Sequence, residues 1–205
     1  MKLYDFERSG NCYKIRLFLS LLDIPYERVP VDIDRGENKS PAFLKVNPRG
    51  QLPILETEDG CFWDSTAILV YLARRYGGES WLPTDRIGMA SVMQWLALEQ
   101  NEGRYGLARA RAIALNNPTF FARSGNIDEA RTLGRIALGV LESRLSSDQW
   151  LAISSPTIAD IACFPYAAMA PQGGIGLAEY TNVVSWIARI RGMPGYTPLP
   201  GERKA

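Results

Sequence analysis

The chain contains no histidine. That absence excludes Ser-His-Asp and Cys-His catalysis and removes the commonest transition-metal ligand, so no metal is expected. Cysteine is scarce: Cys12, Cys61 and Cys163 are odd in number and form no C-x-x-C pair, which disfavours a disulfide framework or a zinc site. Neither sign of charge is in excess, with 23 Lys and Arg against 22 Asp and Glu. No stretch reads as a basic stripe, so a nucleic-acid partner is not expected. No apolar run approaches the roughly 18 residues that a membrane span needs. Charges appear at once, at Lys2 and Asp5, so no secretory leader is visible and a cytoplasmic protein is expected. Any chemistry must come from hydroxyls, amides, backbone groups and helix termini.

What is present is enough for one large or two small domains. The chain has 205 residues, and a hydrophobic fraction of 46% supports a substantial core. Lys2 to Phe6 alternates as a strand does, and Cys12 to Leu22 reads as a helix that Asp23-Ile24-Pro25 ends. Tyr26 to Val31 is a second strand, with Pro30 marking a sheet edge or strand end. Ser40-Pro41 opens a short helix through Val46, and Asn47-Pro48-Arg49-Gly50 is a turn. Gln51 to Glu56 and Cys61 to Trp63 form a hairpin around Glu58-Asp59-Gly60. Asp64-Ser65 caps a helix that Gly77-Gly78 stops. This order predicts an α/β domain with a mixed four-stranded sheet over residues 1–78. Residues 79–86 read as a linker and 87–205 as an all-helical domain. Within the latter, Met89 to Asn116 is a long helix with a break near Gly103 or Gly106. Asn126 caps another through Leu145, and Tyr180 to Arg191 is the last.

Three short stretches carry chemistry. Ser9, Gly10 and Asn11 lie where the first strand hands over to the first helix. Unpaired N–H groups and the positive end of the macrodipole favour an anion there, a thiolate included. Ser9 and Asn11 read either as plain caps or as hydrogen-bond donors to such an anion, and spacing alone favours the caps. Cys12 sits at the same helix start, but a free cysteine is more often a buried apolar residue, and Cys61 and Cys163 read as core. Leu52-Pro53 opens a strand beside this corner; a cis bond there would leave the Leu52 backbone open to pairing with an extended peptide. Asp64-Ser65 is a helix cap by default, or a pocket taking a ligand ammonium on Asp64 and a carboxylate on Ser65.

Taken together, Ser9-Gly10-Asn11-Cys12-Tyr13-Lys14, Asn47-Pro48-Arg49-Gly50-Gln51-Leu52-Pro53 and Asp64-Ser65-Thr66-Ala67-Ile68 resemble the glutathione S-transferase family. Ser155-Pro156-Thr157-Ile158-Ala159-Asp160 resembles the capping box of that family's helical domain, so the resemblance covers essentially the whole chain. It implies a thioredoxin-like N-terminal domain with a cis peptide bond before Pro53, an all-helical C-terminal domain and a homodimer. It also implies glutathione as co-substrate, its thiolate attacking a small electrophile in detoxification chemistry.

By the same resemblance, the Leu52 backbone beside Pro53 pairs with the cysteinyl part of glutathione. Asp64 and Ser65 hold the γ-glutamyl end, and Gln51 or Lys39 the glycyl carboxylate. Ser9 matches the serine-type branches. Asn11 is similar to a bacterial, Nu-like branch in which disulfide reduction is favoured. Arg104, Tyr105, Ala108 and Arg109 are the expected co-substrate residues from the helical domain, or else a solvated or inter-subunit face. With Arg111, they favour an anionic or polar electrophile. The alternatives to a transferase are a glutathione-dependent disulfide-bond reductase or peroxidase, and a non-catalytic dimerisation or regulatory module on the same fold.

Overall fold

The alternating amino-terminal run forms β1 (Lys2–Asp5), with Leu3 and Asp5 fully buried. α1 (Gly10–Leu21) follows and buries Cys12, Ile15 and Leu19. β2 (Glu27–Pro30) pairs parallel to β1, and Pro30 is tolerated because β2 is an edge strand. α2 (Pro41–Val46) starts on the Ser40 cap and leads to the hairpin β3 (Ile54–Thr57) and β4 (Gly60–Trp63). Strand order is β2-β1-β3-β4, with β3 antiparallel to both neighbours, and α3 (Ser65–Leu72) follows β4. This is the mixed four-stranded sheet that the sequence predicts. The computed structural model describes residues 1–116 and 125–201.

Asp5 ties three elements together. Its buried carboxylate accepts from Arg16 of α1 and Arg28 of β2, and a charge this deep is tolerable only when paired in this way.

Helical winding does not stop at Gly77-Gly78 as the glycine pair predicts. A π-helical turn (Ala73–Gly77) runs into α4 (Gly78–Trp81), and Gly78 supplies the break with φ +66. The chain divides into two units, one holding Met1–Gly77 together with the segment from Pro194, the other Gly78–Met193. The stretch read as a linker is therefore half helical. The tail also departs from the expected 87–205 domain. Tyr13 donates its hydroxyl to the Thr197 carbonyl at 2.5 Å, and Gly195 leaves no room for a Cβ against the Ser20 carbonyl. These contacts join sequence-distant residues, which is why local patterning missed them. The tail beyond Gly201 lies outside the described residues.

In the second unit, Asp85 caps α5 (Arg86–Leu98), which continues as a π-helix (Glu99–Ala108) and then α6 (Arg109–Ala114). The break expected near Gly103 or Gly106 is thus a widening of the helix. The widened segment crosses the backbone of α7 (Ile127–Leu145), which Asn126 caps as expected. A Cβ on Gly106 would lie 2.3 Å from the Gly134 nitrogen, so only glycine permits the approach. α8 (Ile158–Ala168) and α9 (Thr181–Arg191) complete the unit, with Phe164 and Trp186 edge to face at 6.2 Å. No helix among the described residues is long and apolar enough to cross a membrane.

Candidate active site

Strand register brings the sequence motifs to one end of the sheet. Tyr4 near the end of β1 pairs with Ile54 at the start of β3, which pairs with Trp63 at the end of β4. The residues just beyond, Ser9 after β1, Leu52-Pro53 before β3 and Asp64-Ser65 after β4, therefore share that end. Packing agrees: Cys12 of α1 lies in one apolar cluster with Leu52 and Ile54.

At the start of α1, Ser9 Oγ accepts the Cys12 N–H at 3.2 Å. Its backbone is fixed as well, donating to the Phe6 carbonyl at 2.9 Å and accepting from Tyr13 at 3.0 Å. The cap uses an oxygen lone pair of Ser9, while its O–H is within reach of the Cys12 thiol and eases that group's ionisation. The N–H groups of Gly10 and Asn11 make no hydrogen bond among the described residues. A half-buried hydroxyl and two backbone N–H groups thus lie at the N-terminus of α1, a favourable kind of place for an anion. Asn11 accepts from Lys14 Nζ at 2.8 Å, and Lys14 is fully buried.

Cys12 is fully buried. Burial, reinforced by the Asp5 carboxylate, pushes its thiol up to about 12, against the weaker pull of hydrogen bonds from Ser9 and Phe6. A thiol in that state is inert. Cys163 is buried, as expected. Cys61, read from sequence as core, is exposed because it lies on the edge strand β4.

The Leu52-Pro53 bond is cis. The Leu52 side chain is buried, while its N–H and C=O make no hydrogen bond among the described residues. The loop before it is held by Asn38 Nδ2 on the Gly50 carbonyl at 2.7 Å and by Asn47 Nδ2 on the Gln51 carbonyl at 2.8 Å. Lys39 Nζ also reaches the Gly50 carbonyl, at 3.2 Å, so Lys39 and Gln51 belong to one loop system.

At α3, Asp64 has φ +77, an uncommon conformation for a residue with a side chain and one that costs about 1–3 kcal/mol. Its Oδ1 caps the Thr66 N–H at 3.0 Å, and its Oδ2 pairs with Arg49 at 2.9 Å. Arg49 also lies over the Trp63 ring, 5.6 Å from its centroid. Sequence reasoning passed over Arg49 as an ordinary turn residue. The signal available was its place in the same motif as Leu52-Pro53. Ser65 is buried at the first turn of α3, and its hydroxyl makes no hydrogen bond among the described residues.

Arg104, Tyr105, Ala108 and Arg109 lie along the π-helix and the first residue of α6. The Arg109 N–H bonds back to the Arg104 carbonyl, so π winding aligns these residues five apart, where an α-helix would align them four apart. Arg104 donates to Gln100 Oε1 at 3.1 Å and lies near the Tyr105 ring, while Tyr105 itself is exposed.

Comparison with known proteins places the chain in a family. Residues 1–74 match the model of the glutathione S-transferase N-terminal domain, and residues 117–194 that of the C-terminal domain. The disulfide-bond oxidoreductase YfcG of Escherichia coli is 30% identical, over 92% of this chain and 89% of that protein. The chain belongs to the glutathione S-transferase family. Its sheet and helices are those of a family structure from Pseudomonas fluorescens, 39% identical with a TM-score of 0.88 over 97% of this chain and 98% of that one. A further family structure, from Phanerochaete chrysosporium in complex with oxidized glutathione, is 27% identical with a TM-score of 0.83, covering 95% and 91%.

Proposed function

We propose that this protein is a glutathione transferase in which Ser9 donates a hydrogen bond to the glutathione thiolate. The observation that carries this reading is the Ser9 cap, which holds the hydroxyl oxygen at the α1 N-terminus; its proton, shared in this structure with nothing stronger than the neutral Cys12 thiol, turns to a bound thiolate as the better acceptor. Moving a thiol pKa from ~8.5 to ~6.5 requires about 2.7 kcal/mol of differential stabilisation. One hydrogen bond to a charged group contributes ~1.5–3 kcal/mol and a helix terminus ~0.3–1, so the corner suffices without a general base.

The tripeptide is taken up in extended form. Its cysteinyl backbone pairs with the open N–H and C=O of Leu52, beside Pro53. The γ-glutamyl carboxylate goes to the Ser65 hydroxyl and the α3 N-terminus, and its ammonium to Asp64. The glycyl carboxylate goes to Gln51 or Lys39. The thiolate then attacks an electrophilic carbon: a C–S bond forms, and a leaving group departs with its electron pair or a proton adds to the activated partner. We assign the co-substrate contacts to Arg104, Tyr105, Ala108 and Arg109, whose guanidinium groups suit an anionic or polar electrophile. Assembly as a homodimer is part of the same reading, supported by family membership.

Disulfide reduction is the second reading, favoured by Asn11 beside Ser9 and by the oxidoreductase among the relatives. Here the thiolate opens a disulfide to give a mixed disulfide, and a second glutathione releases oxidised glutathione and the remaining thiol. Calorimetric titration with glutathione, followed by parallel conjugation and disulfide-reduction assays, tests both readings. Saturable binding with conjugation dominant supports the first, and reduction dominant supports the second. Absence of binding contradicts both.

A further inference from the structure

Lys14 is among the largest fully buried side chains of the protein, although lysine is among the residues least often buried. It sits near the N-terminal end of α1, where a cation opposes the helix macrodipole, and removing its amino group from water costs further. Two unfavourable terms at one position require polar partners, and one of them is Asn11: Lys14 Nζ donates to Asn11 Oδ1 at 2.8 Å.

A primary amide has two faces of opposite character. When its oxygen is committed to a strong donor, its NH₂ group is fixed on the other branch of the same plane. Asn11 Nδ2 makes no hydrogen bond among the described residues, and Asn11 stands two residues from Ser9 in the first turn of α1. Free rotation would let the Asn11 oxygen face the bound anion about as readily as the NH₂ group, and an oxygen there would repel a thiolate. The lysine removes that alternative.

We propose that Lys14 is a positioning residue that locks the Asn11 amide with its NH₂ group as a second donor to the glutathione thiolate; this rests on the site proposed above. Lys14 itself does not touch the sulfur. Other charged groups around the corner include Asp5, held by Arg16 and Arg28, Glu7, held by Arg28, and Arg8, paired with Asp34, and they are common to every variant compared.

The test is the pH titration of thiolate absorbance in the glutathione complex, for the full chain and four proteins: wild type, Lys14→Met, Asn11→Ala and the double variant. Methionine keeps the volume and removes the donor. Loss of one oriented hydrogen bond of ~1 kcal/mol corresponds to an upward shift of about 0.7 pH unit in Lys14→Met. Its kcat/KM should fall about fivefold below the thiol pKa, with the deficit closing at alkaline pH where the thiol ionises unaided. In the Asn11→Ala background, Lys14→Met should add no further shift, because the proposed effect on the thiol passes through that amide. An unshifted Lys14→Met, or the same shift in both backgrounds, overturns the proposal. A wild type that fails to bind glutathione overturns the site itself, so the two failures are distinguishable. Should Lys14→Met not fold, the wild type alone suffices. Its Asn11 side-chain NH₂ resonances, assigned with Asn11→Ala, should move with the titration of the bound thiol, and resonances indifferent to it overturn the proposal.

Discussion

Ser9 caps α1 and Thr157 caps α8, each by accepting a backbone N–H on its side-chain oxygen at 3.2 Å, yet the two helix starts are finished differently. Around Thr157 the polar network is closed. Asp160 accepts from the Thr157 N–H and hydroxyl through one carboxylate oxygen, and from the Leu151 N–H and Trp186 indole N–H through the other. Thr157 and Asp160 are fully buried. Around Ser9 the network is open, with two backbone N–H groups left over at a half-buried position and a hydroxyl proton that meets nothing stronger than the neutral Cys12 thiol. A saturated cap serves stability, whereas an unsaturated one can serve a ligand. The same residue types at the same helix position thus take opposite roles, and satisfaction of hydrogen bonds separates them.

The comparison breaks most visibly at Asp160. Burial raises its carboxyl pKa against the pull of those four donors, so the group is held by its partners and not by solvent. Asp160→Ala strands all four donors and should cost about 3–5 kcal/mol, seen as a lowered denaturation midpoint. Glutathione affinity per folded molecule should be unchanged. Ser9→Ala should show the reverse pattern. Stability falls by about 1 kcal/mol through the lost cap. The second-order rate below the thiol pKa falls about 10- to 100-fold, read from kcat/KM against pH.

A finer test uses the thiols. Alkylation followed by peptide mapping should modify exposed Cys61 first and reach Cys12 and Cys163 only on unfolding. The Cys12 thiol is raised in the folded state, so its contribution to stability is fully present below pH 9 and is lost as pH rises toward about 12. Rapid native-state labelling of Cys12 would contradict its burial. The smallest effect is expected at Arg49. Arg49→Ala removes a partly exposed pair with Asp64 and should cost under about 1 kcal/mol, measured by urea denaturation.

Much of this was legible in the sequence because it depends on local chemistry. The Ser9-Gly10-Asn11 handover, the Asn126 cap and the Thr157–Asp160 box are read from residues a turn apart, and each forms as spacing predicts. The residues that escaped are defined by partners distant in sequence or by burial. Arg49 acquires meaning from Asp64, 15 residues on, and the tail from Pro194 acquires its place from Tyr13 and Ser20. Lys14 was only the last residue of the first motif until its burial was visible. The π winding at Glu99–Ala108 contains a backbone crossing at Gly106 and Gly134, which glycine permits but does not announce.

The measurement that tests the central claim most directly is the pKa of the glutathione thiol bound to wild type and to Ser9→Ala, read from thiolate absorbance. An open cap at α1 predicts a wild-type value well below that of free thiol, and a value at least about one unit higher in Ser9→Ala. Equal values in the two proteins would show that the Ser9 hydroxyl does no more than Thr157 does at α8, and would contradict the account.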